Sequence, residues 1–120
     1  QYQSLYREYL DKLEEHHAET HYVSDYVEML NVNEKQLNRA CKAMTGHSAR
    51  HIIDERLNFE AKRFLYYSTH TIKEISYYLG YKDPAHFVKF FKRKNGKTPG
   101  EYRNHLSSIE PLPPKKKAEV

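Results

Sequence analysis

Three features of this 120-residue chain predict an all-α fold of about seven helices, arranged as two helix-turn-helix units joined by a long linker helix. Apolar residues recur at steps of three and four nearly throughout, the period of a helix with one buried stripe, and no stretch alternates in the two-residue rhythm of a strand. Capping residues and glycines fall at the ends of those periodic stretches. The pattern before the middle of the chain also returns after it at an offset of 50: Asn33 meets Asp83, Leu37 Phe87, Arg39 Lys89, Lys42 Lys92, Gly46 Gly96 and Ser48 Thr98. A match of this kind means one supersecondary unit used twice.

The first predicted helix, Ser4–Glu19, places Leu5, Tyr9, Leu10 and Leu13 on one side and acidic residues on the other. Val23–Leu30 makes a short second helix with Val23, Tyr26, Val27 and Leu30 inward, followed by a tight turn at Asn31-Val32. Asn33 is a good N-cap for Glu34–Thr45, whose inward set is Leu37, Ala40, Cys41 and Met44 and whose stop is Gly46. Ser48 can cap the linker helix, which runs to Tyr67 without Gly or Pro and carries Ala49, Ile52, Ile53, Leu57, Ala61, Phe64 and Leu65 on its apolar stripe. At ~1.5 Å per residue it is a rod of roughly 30 Å.

Thr71–Glu74 is a capping box that opens a short helix with Ile72, Ile75 and Leu79 inward and Gly80 as its stop. Asp83 and Pro84 are a cap and a first-turn proline for a helix through Asn95 with Phe87, Phe90 and Phe91 inward, ended by Gly96. Thr98-Pro99-Gly100-Glu101 is a second capping box, starting a last helix that carries Tyr102 and Leu106. The predicted divisions are 1–47, a first unit with an N-terminal helix; 48–67, the linker helix; 68–107, a second unit; and 108–120, a basic, proline-rich disordered tail.

Composition narrows the class. A hydrophobic content of 38% in a chain this short supports one ordinary core or two small ones, which excludes large multidomain machinery. The single cysteine, Cys41, rules out an internal disulfide and, on an apolar helical face, reads as a reduced core residue. No run approaches the ~18 apolar residues of a membrane span and no leader pattern is present, so a soluble, cytoplasmic protein is expected. Its start at Gln1 suggests a piece of a longer product. The net charge of +4 is unevenly spread: residues 1–34 hold two basic against eight acidic side chains, a balance of −6, and residues 35–120 hold 18 basic against eight acidic, a balance of +10. The basic part is where a polyanion would bind, with the acidic first helix turned away from it.

The stretch Gly80–Arg103, GYKDPAHFVKFFKRKNGKTPGEYR, resembles the closing signature of the AraC/XylS transcription regulators. The match includes Gly80 and Tyr81, Phe87, the Phe91-Lys92 pair, Gly96, Thr98-Pro99 and Tyr102-Arg103. Upstream, Glu60–Leu65 and Ile72–Gly80 are similar to the family's linker-helix end and the first helix of its second unit, so that the resemblance covers about Leu5–Leu106. It implies a DNA-binding domain whose two recognition helices enter adjacent major grooves, with base-reading positions at Lys35, Asn38 and Arg39 in the first unit and at Pro84, Ala85, His86 and Lys89 in the second. The first unit departs from the pattern at Ala40 and Cys41, where bulkier residues are usual, and at Tyr22, where a capping Ser or Thr is usual; a thinner first core is expected.

The residue chemistry is compatible with that role. Arg39, one helical turn after Lys35, can make a bidentate contact to guanine. His86 and Lys89 are related in the same way, whereas Pro84 and Ala85 offer only apolar contact. Asn33, Lys42, Arg93 and Lys97 are candidates for phosphate. His17/His21 and His47/His51 have the spacing of helical ligand pairs but lack a third ligand, so no metal is predicted, and no cofactor loop or catalytic constellation points to an enzyme. The expected partners are double-stranded promoter or operator DNA, RNA polymerase, and a sensor or dimerisation domain elsewhere in the full-length protein, with no membrane. A second reading is a basic helical interaction module that docks an acidic protein partner.

Overall fold

The computed structural model describes residues 1–109; the predicted tail from residue 110 on lies outside the described residues. The described residues form seven helices, α1 (Tyr2–His16), α2 (Val23–Leu30), α3 (Glu34–Thr45), α4 (Ala49–Tyr67), α5 (Ile72–Tyr78), α6 (Pro84–Asn95) and α7 (Pro99–Ile109), and no strand. Local chemistry explains most of the boundaries. Asn33 Oδ1 accepts the Gln36 N–H at 2.8 Å while Gln36 Oε1 accepts the Asn33 N–H at 2.9 Å, a capping box at the start of α3. Asp83 Oδ1 accepts the Ala85 N–H at 3.0 Å at the start of α6. Gly46 and Gly96 end α3 and α6 with φ of 81° and 79°, and a Cβ at either would meet nothing within 4 Å, so glycine is needed for its backbone and not for space.

Some ends and faces differ from the sequence expectation. Helix α1 starts at Tyr2 and stops at His16, where a turn carries the Glu19 and Thr20 N–H groups back to the His16 carbonyl. Leu10 and Met44, both expected inward, are 38% and 44% exposed. Helix α7 continues through Ile109, two residues into the stretch read as tail. Thr20 compensates for the missing cap at Tyr22: its hydroxyl accepts the Tyr22 N–H at 3.2 Å and donates to Asp25.

The chain divides into two compact units, Gln1–Leu57 and the residues from Asn58 on, so the division falls inside α4 and not at its ends. The linker is therefore more than a spacer, since Ala49, Ile53 and Leu57 are buried in the first unit while Ala61 and Leu65 belong to the second core.

In the first unit α1 packs on α2 and α3. The small Ala40 and Cys41 are offset by two fully buried tyrosines, Tyr9 and Tyr26, whose rings meet edge to face at 5.6 Å. Tyr9 donates its hydroxyl to the Ala49 carbonyl at 2.7 Å, tying α1 to the start of α4, and Tyr26 donates to the Thr20 carbonyl at 3.1 Å. The core is thus filled from α1 and α2, which corrects the expectation of a thin one. Burial pushes the Tyr26 hydroxyl up to about 12 and the Cys41 thiol up to about 11, and raises Tyr9 further, so all three stay neutral.

The second unit is built on Ala61, Leu65, Ile75, Leu79, Phe87 and Phe91, with Phe64, Ile72, Tyr81 and Tyr102 packed around them. Arg103 of α7 closes the C-terminal end of α4. Its guanidinium donates to the carbonyls of His70 at 2.7 Å, Leu65 at 3.2 Å, Ser68 at 3.3 Å and Phe64 at 3.4 Å, and so ties α7 to the last turn of α4 and the segment that follows it. Asn58 and Asn95 exchange amide hydrogen bonds of 2.8 and 3.3 Å, fixing α4 to the last turn of α6.

Candidate nucleic-acid interface

Each recognition-type helix turns one face inward and leaves the other in water. In α3, Leu37, Ala40 and Cys41 are buried, and the helical period then places Lys35, Arg39 and Lys42 on the exposed side. In α6, Phe87, Phe90 and Phe91 are buried, and Ala85, His86, Lys89, Lys92 and Arg93 are exposed. Lys89 stands at the repeat position of Arg39, and Lys92 at that of Lys42. Lys92 is not among the contact candidates read from the sequence, although the offset of 50 that aligns it with Lys42 points to it. The guanidinium of Arg93 lies over the Phe90 ring at 5.6 Å, which restricts an otherwise mobile cation to one side of α6. Lys97, in the turn before α7, is exposed; its repeat partner is the exposed His47, stacked on His51 at 4.1 Å.

Two of the sequence candidates also serve the fold. Asn38 is half-buried, and its Oδ1 accepts the Ala49 N–H at 2.8 Å, so it caps the first turn of α4 from the side of α3. Asn33 spends its side chain on the Gln36 N–H and its own N–H on the Gln36 side chain. Pro84 is half-buried and has no N–H to offer, which leaves Lys35 and Arg39 in the first unit and Ala85, His86 and Lys89 in the second as the exposed members of the predicted set. Among the described residues no three His, Cys, Asp or Glu side chains come together in a way that could hold a metal ion, and no helix is long and apolar enough to cross a membrane.

The electrostatic character of the two helices follows from these positions. The last turn of α6 holds Lys92, Arg93 and Lys94 near the negative end of the helix dipole, which favours cations there. Helix α1, by contrast, exposes Glu8, Asp11, Glu14 and Glu15; Glu14 pairs with Arg56 at 2.6 Å and Glu15 lies 3.7 Å from Lys12.

A family model described as a helix-turn-helix domain matches residues 26–105. Among curated proteins, the Lactose operon transcription activator of Staphylococcus xylosus is 29% identical over 85 residues, which is 71% of this chain and 30% of that protein. Histidine kinase P4 of Formosa agariphila is 33% identical over 78 residues, 65% of this chain and 6% of that protein. The chain therefore spans a third or less of the curated relatives it matches. Among solved structures, the DNA-binding domain of AdpA, a global transcriptional factor crystallised with a target DNA, superposes with a TM-score of 0.78 at 21% identity, covering 88% of this chain and 95% of that one. The C-terminal domain of AraT, a response regulator from Geobacillus stearothermophilus, gives 0.77 at 26% identity, covering 84% of each. The helical repeat, its caps and the matched family model together show that the chain belongs to the helix-turn-helix family of AraC/XylS type, a family of DNA-binding transcription regulators.

Proposed function

We propose that the chain is the sequence-specific DNA-binding part of a longer bacterial transcription regulator and that α3 and α6 read two successive major grooves. One observation carries this reading: two repeat positions turn exposed cations outward twice, Arg39 and Lys42 on α3 and Lys89 and Lys92 on α6, with Lys35 and His86 exposed about one turn before each pair. Lys35 and Arg39 read base edges in the first half-site, Arg39 by a bidentate contact to guanine; His86 and Lys89 do so in the second, and Ala85 meets a thymine methyl. Lys42, Lys92, Arg93 and Lys97 bind phosphates and set the register. The AdpA domain, which holds a target DNA, supports the assignment by its fold.

The remainder of the regulator supplies a sensor or dimerisation domain, the whole acts on RNA polymerase in the cytoplasm, and this part has no enzymatic role. Selection of bound sequences from a random duplex pool, followed by footprinting of the isolated chain, tests the proposal. Two protected segments on one face of the duplex, about one helical turn apart, are the expected outcome. Protection of a single groove, or binding whose log–log salt slope is close to zero, would overturn it, because several phosphate contacts impose a steep slope.

A further inference from the structure

Helix α4 carries apolar residues on two sides in its second half. Ala61 and Leu65 are buried in the core, yet Phe59 and Tyr67 are 59% and 61% exposed. Positions 59, 62, 63, 66 and 67 share one helical face, so Phe59, Lys62, Arg63, Tyr66 and Tyr67 form a continuous stripe. Together with Tyr102 and Leu106 of α7 they line a groove of about 440 Å³ whose lining holds two cations and no carboxylate.

The cations of this stripe are positioned: Arg63 Nε and Nη2 both donate to Glu60 Oε1, at 3.1 and 2.9 Å, and Lys62 Nζ lies 5.6 Å from the centre of the Tyr102 ring. Aromatic surface flanked by positioned cations is suited to an amphipathic helix with apolar anchors and acidic flanks.

We propose that this groove docks an acidic amphipathic helix of another protein, with its apolar anchor against Phe59, Tyr66, Tyr67 and Leu106 and its carboxylates facing Lys62 and Arg63. None of the groove residues belongs to α3 or α6, the helices proposed to read DNA. Opposite charge speeds the encounter and selects the partner, and the aromatic side chains supply the contact area.

The chain contains no tryptophan, so a single tryptophan in a synthetic helical peptide reports binding by its own fluorescence. The probe is a peptide of about 14 residues, roughly 20 Å as a helix, with Trp and Leu one turn apart and Glu on both flanks; its control has Lys in place of every Glu. The expected result is a saturable blue shift with the acidic peptide, at least about tenfold weaker binding of the basic one, and loss of both in a Phe59→Ser, Tyr67→Ser variant whose unfolding midpoint is unchanged. Lys62→Glu should remove the preference between the two peptides while both still bind, a readout that a loss of folding cannot mimic. Equal binding of both peptides, or no binding, overturns the proposal. So does binding that appears only after residues 110–120 are removed, or self-association of the chain abolished by the same Phe59 and Tyr67 substitutions, since the groove would then serve this chain's own end or a second copy.

Discussion

The two units of this chain meet the same structural demands with different chemistry. Each must satisfy the start of the helix that follows its recognition helix. In the first unit the Ala49 N–H needs a partner and Asn38 Oδ1 provides it at 2.8 Å; at the repeat positions of the second, Pro99 has no N–H and Val88 takes the place of Asn38. Each must also fill its core. The first uses Tyr9 and Tyr26 beside small Ala40 and Cys41, the second Phe90 and Phe91 on α6 itself. Finally, each must hold the segment that leads into its short second helix. Tyr26 bonds the Thr20 carbonyl in the first unit, and Arg103 gathers four carbonyls at the end of α4 in the second. A repeated fold therefore fixes which groups need partners and leaves open which side chains supply them.

The largest expected effect tests where each core holds its bulk. Phe91→Ala should cost about 3–5 kcal/mol, as truncation of a fully buried aromatic does. Cys41→Ala, at the same repeat position, should cost no more than about 1 kcal/mol, because so few atoms are removed. The counterpart of the Phe91 change lies instead in α1, and Tyr9→Ala should cost about as much as Phe91→Ala through the lost ring and the lost bond to Ala49. Urea unfolding of the three variants measures this. If Cys41→Ala matched Phe91→Ala while Tyr9→Ala were mild, the division of the first core between α1 and α3 would be wrong.

A second difference concerns recognition. Arg39 has the planar fork for a bidentate contact to guanine, and Lys89 at the same repeat position is a point charge. Arg39→Ala should cost about 1–3 kcal/mol on the selected site and flatten preference at one or two positions of its half. Lys89→Ala should weaken binding more evenly across sequences and lower the salt slope by about one. Binding to the selected site and to single-base variants of each half would show it; preference lost through Lys89→Ala and kept through Arg39→Ala would reverse the ranking of the two units.

Most of the local order was legible in the sequence because it depends on near neighbours. The cap at Asn33, the capping boxes at Thr71 and Thr98, the proline at 84 and the glycines at 46 and 96 act over four residues or fewer, and the helices start and stop at them. Contacts that cross the chain were not legible. Asn38 reaches Ala49 over 11 residues, Tyr9 reaches Ala49 over 40 and Arg103 reaches Leu65 over 38, and no spacing rule marks such pairs. Asn38, which the family resemblance places among the base-reading positions, is an example: its Oδ1 bonds the Ala49 N–H, a contact that no near neighbour signals. The repeat did contain a clue: the pairing of Asn38 with Ala49 and of Val88 with Pro99 is visible once both halves are compared at all four positions.

That clue yields a smaller and sharper prediction. Asn38→Val leaves the Ala49 N–H without its partner and should cost about 1–2 kcal/mol. Ala49→Pro leaves Asn38 Oδ1 without its donor and should also destabilise. Combined, the two substitutions recreate the arrangement of Val88 and Pro99, so the double variant should be more stable than the sum of the single effects by about 1 kcal/mol. Chemical unfolding of the four proteins of the cycle is the measurement, and strict additivity would show that the two positions do not answer each other.

The smallest effect separates the units by pH. Glu101 accepts the Thr98 N–H at 2.9 Å, and that bond, with the Thr98 hydroxyl next and Lys92 and Lys97 nearby, holds its carboxyl below the ordinary value of 4.5. A carboxyl lowered in the folded state binds its proton less readily there than in the unfolded chain. Its contribution to stability is therefore complete above the unfolded value and declines as pH falls through the folded one. The repeat position in the first unit is His51, which closes no such box with Ser48: only the His51 N–H reaches the Ser48 hydroxyl, at 3.2 Å. The acid-sensitive cap thus belongs to the second unit. Replacement by glutamine keeps an acceptor for the Thr98 N–H and removes the titration, and the box of Asn33 with Gln36 shows that an amide can fill the role. Glu101→Gln should change stability little at pH 7 and make the loss of stability shallower from about pH 4.5 downward. Unfolding midpoints measured across that range decide the matter, since superimposable pH profiles for the two proteins would mean that the acid loss arises elsewhere.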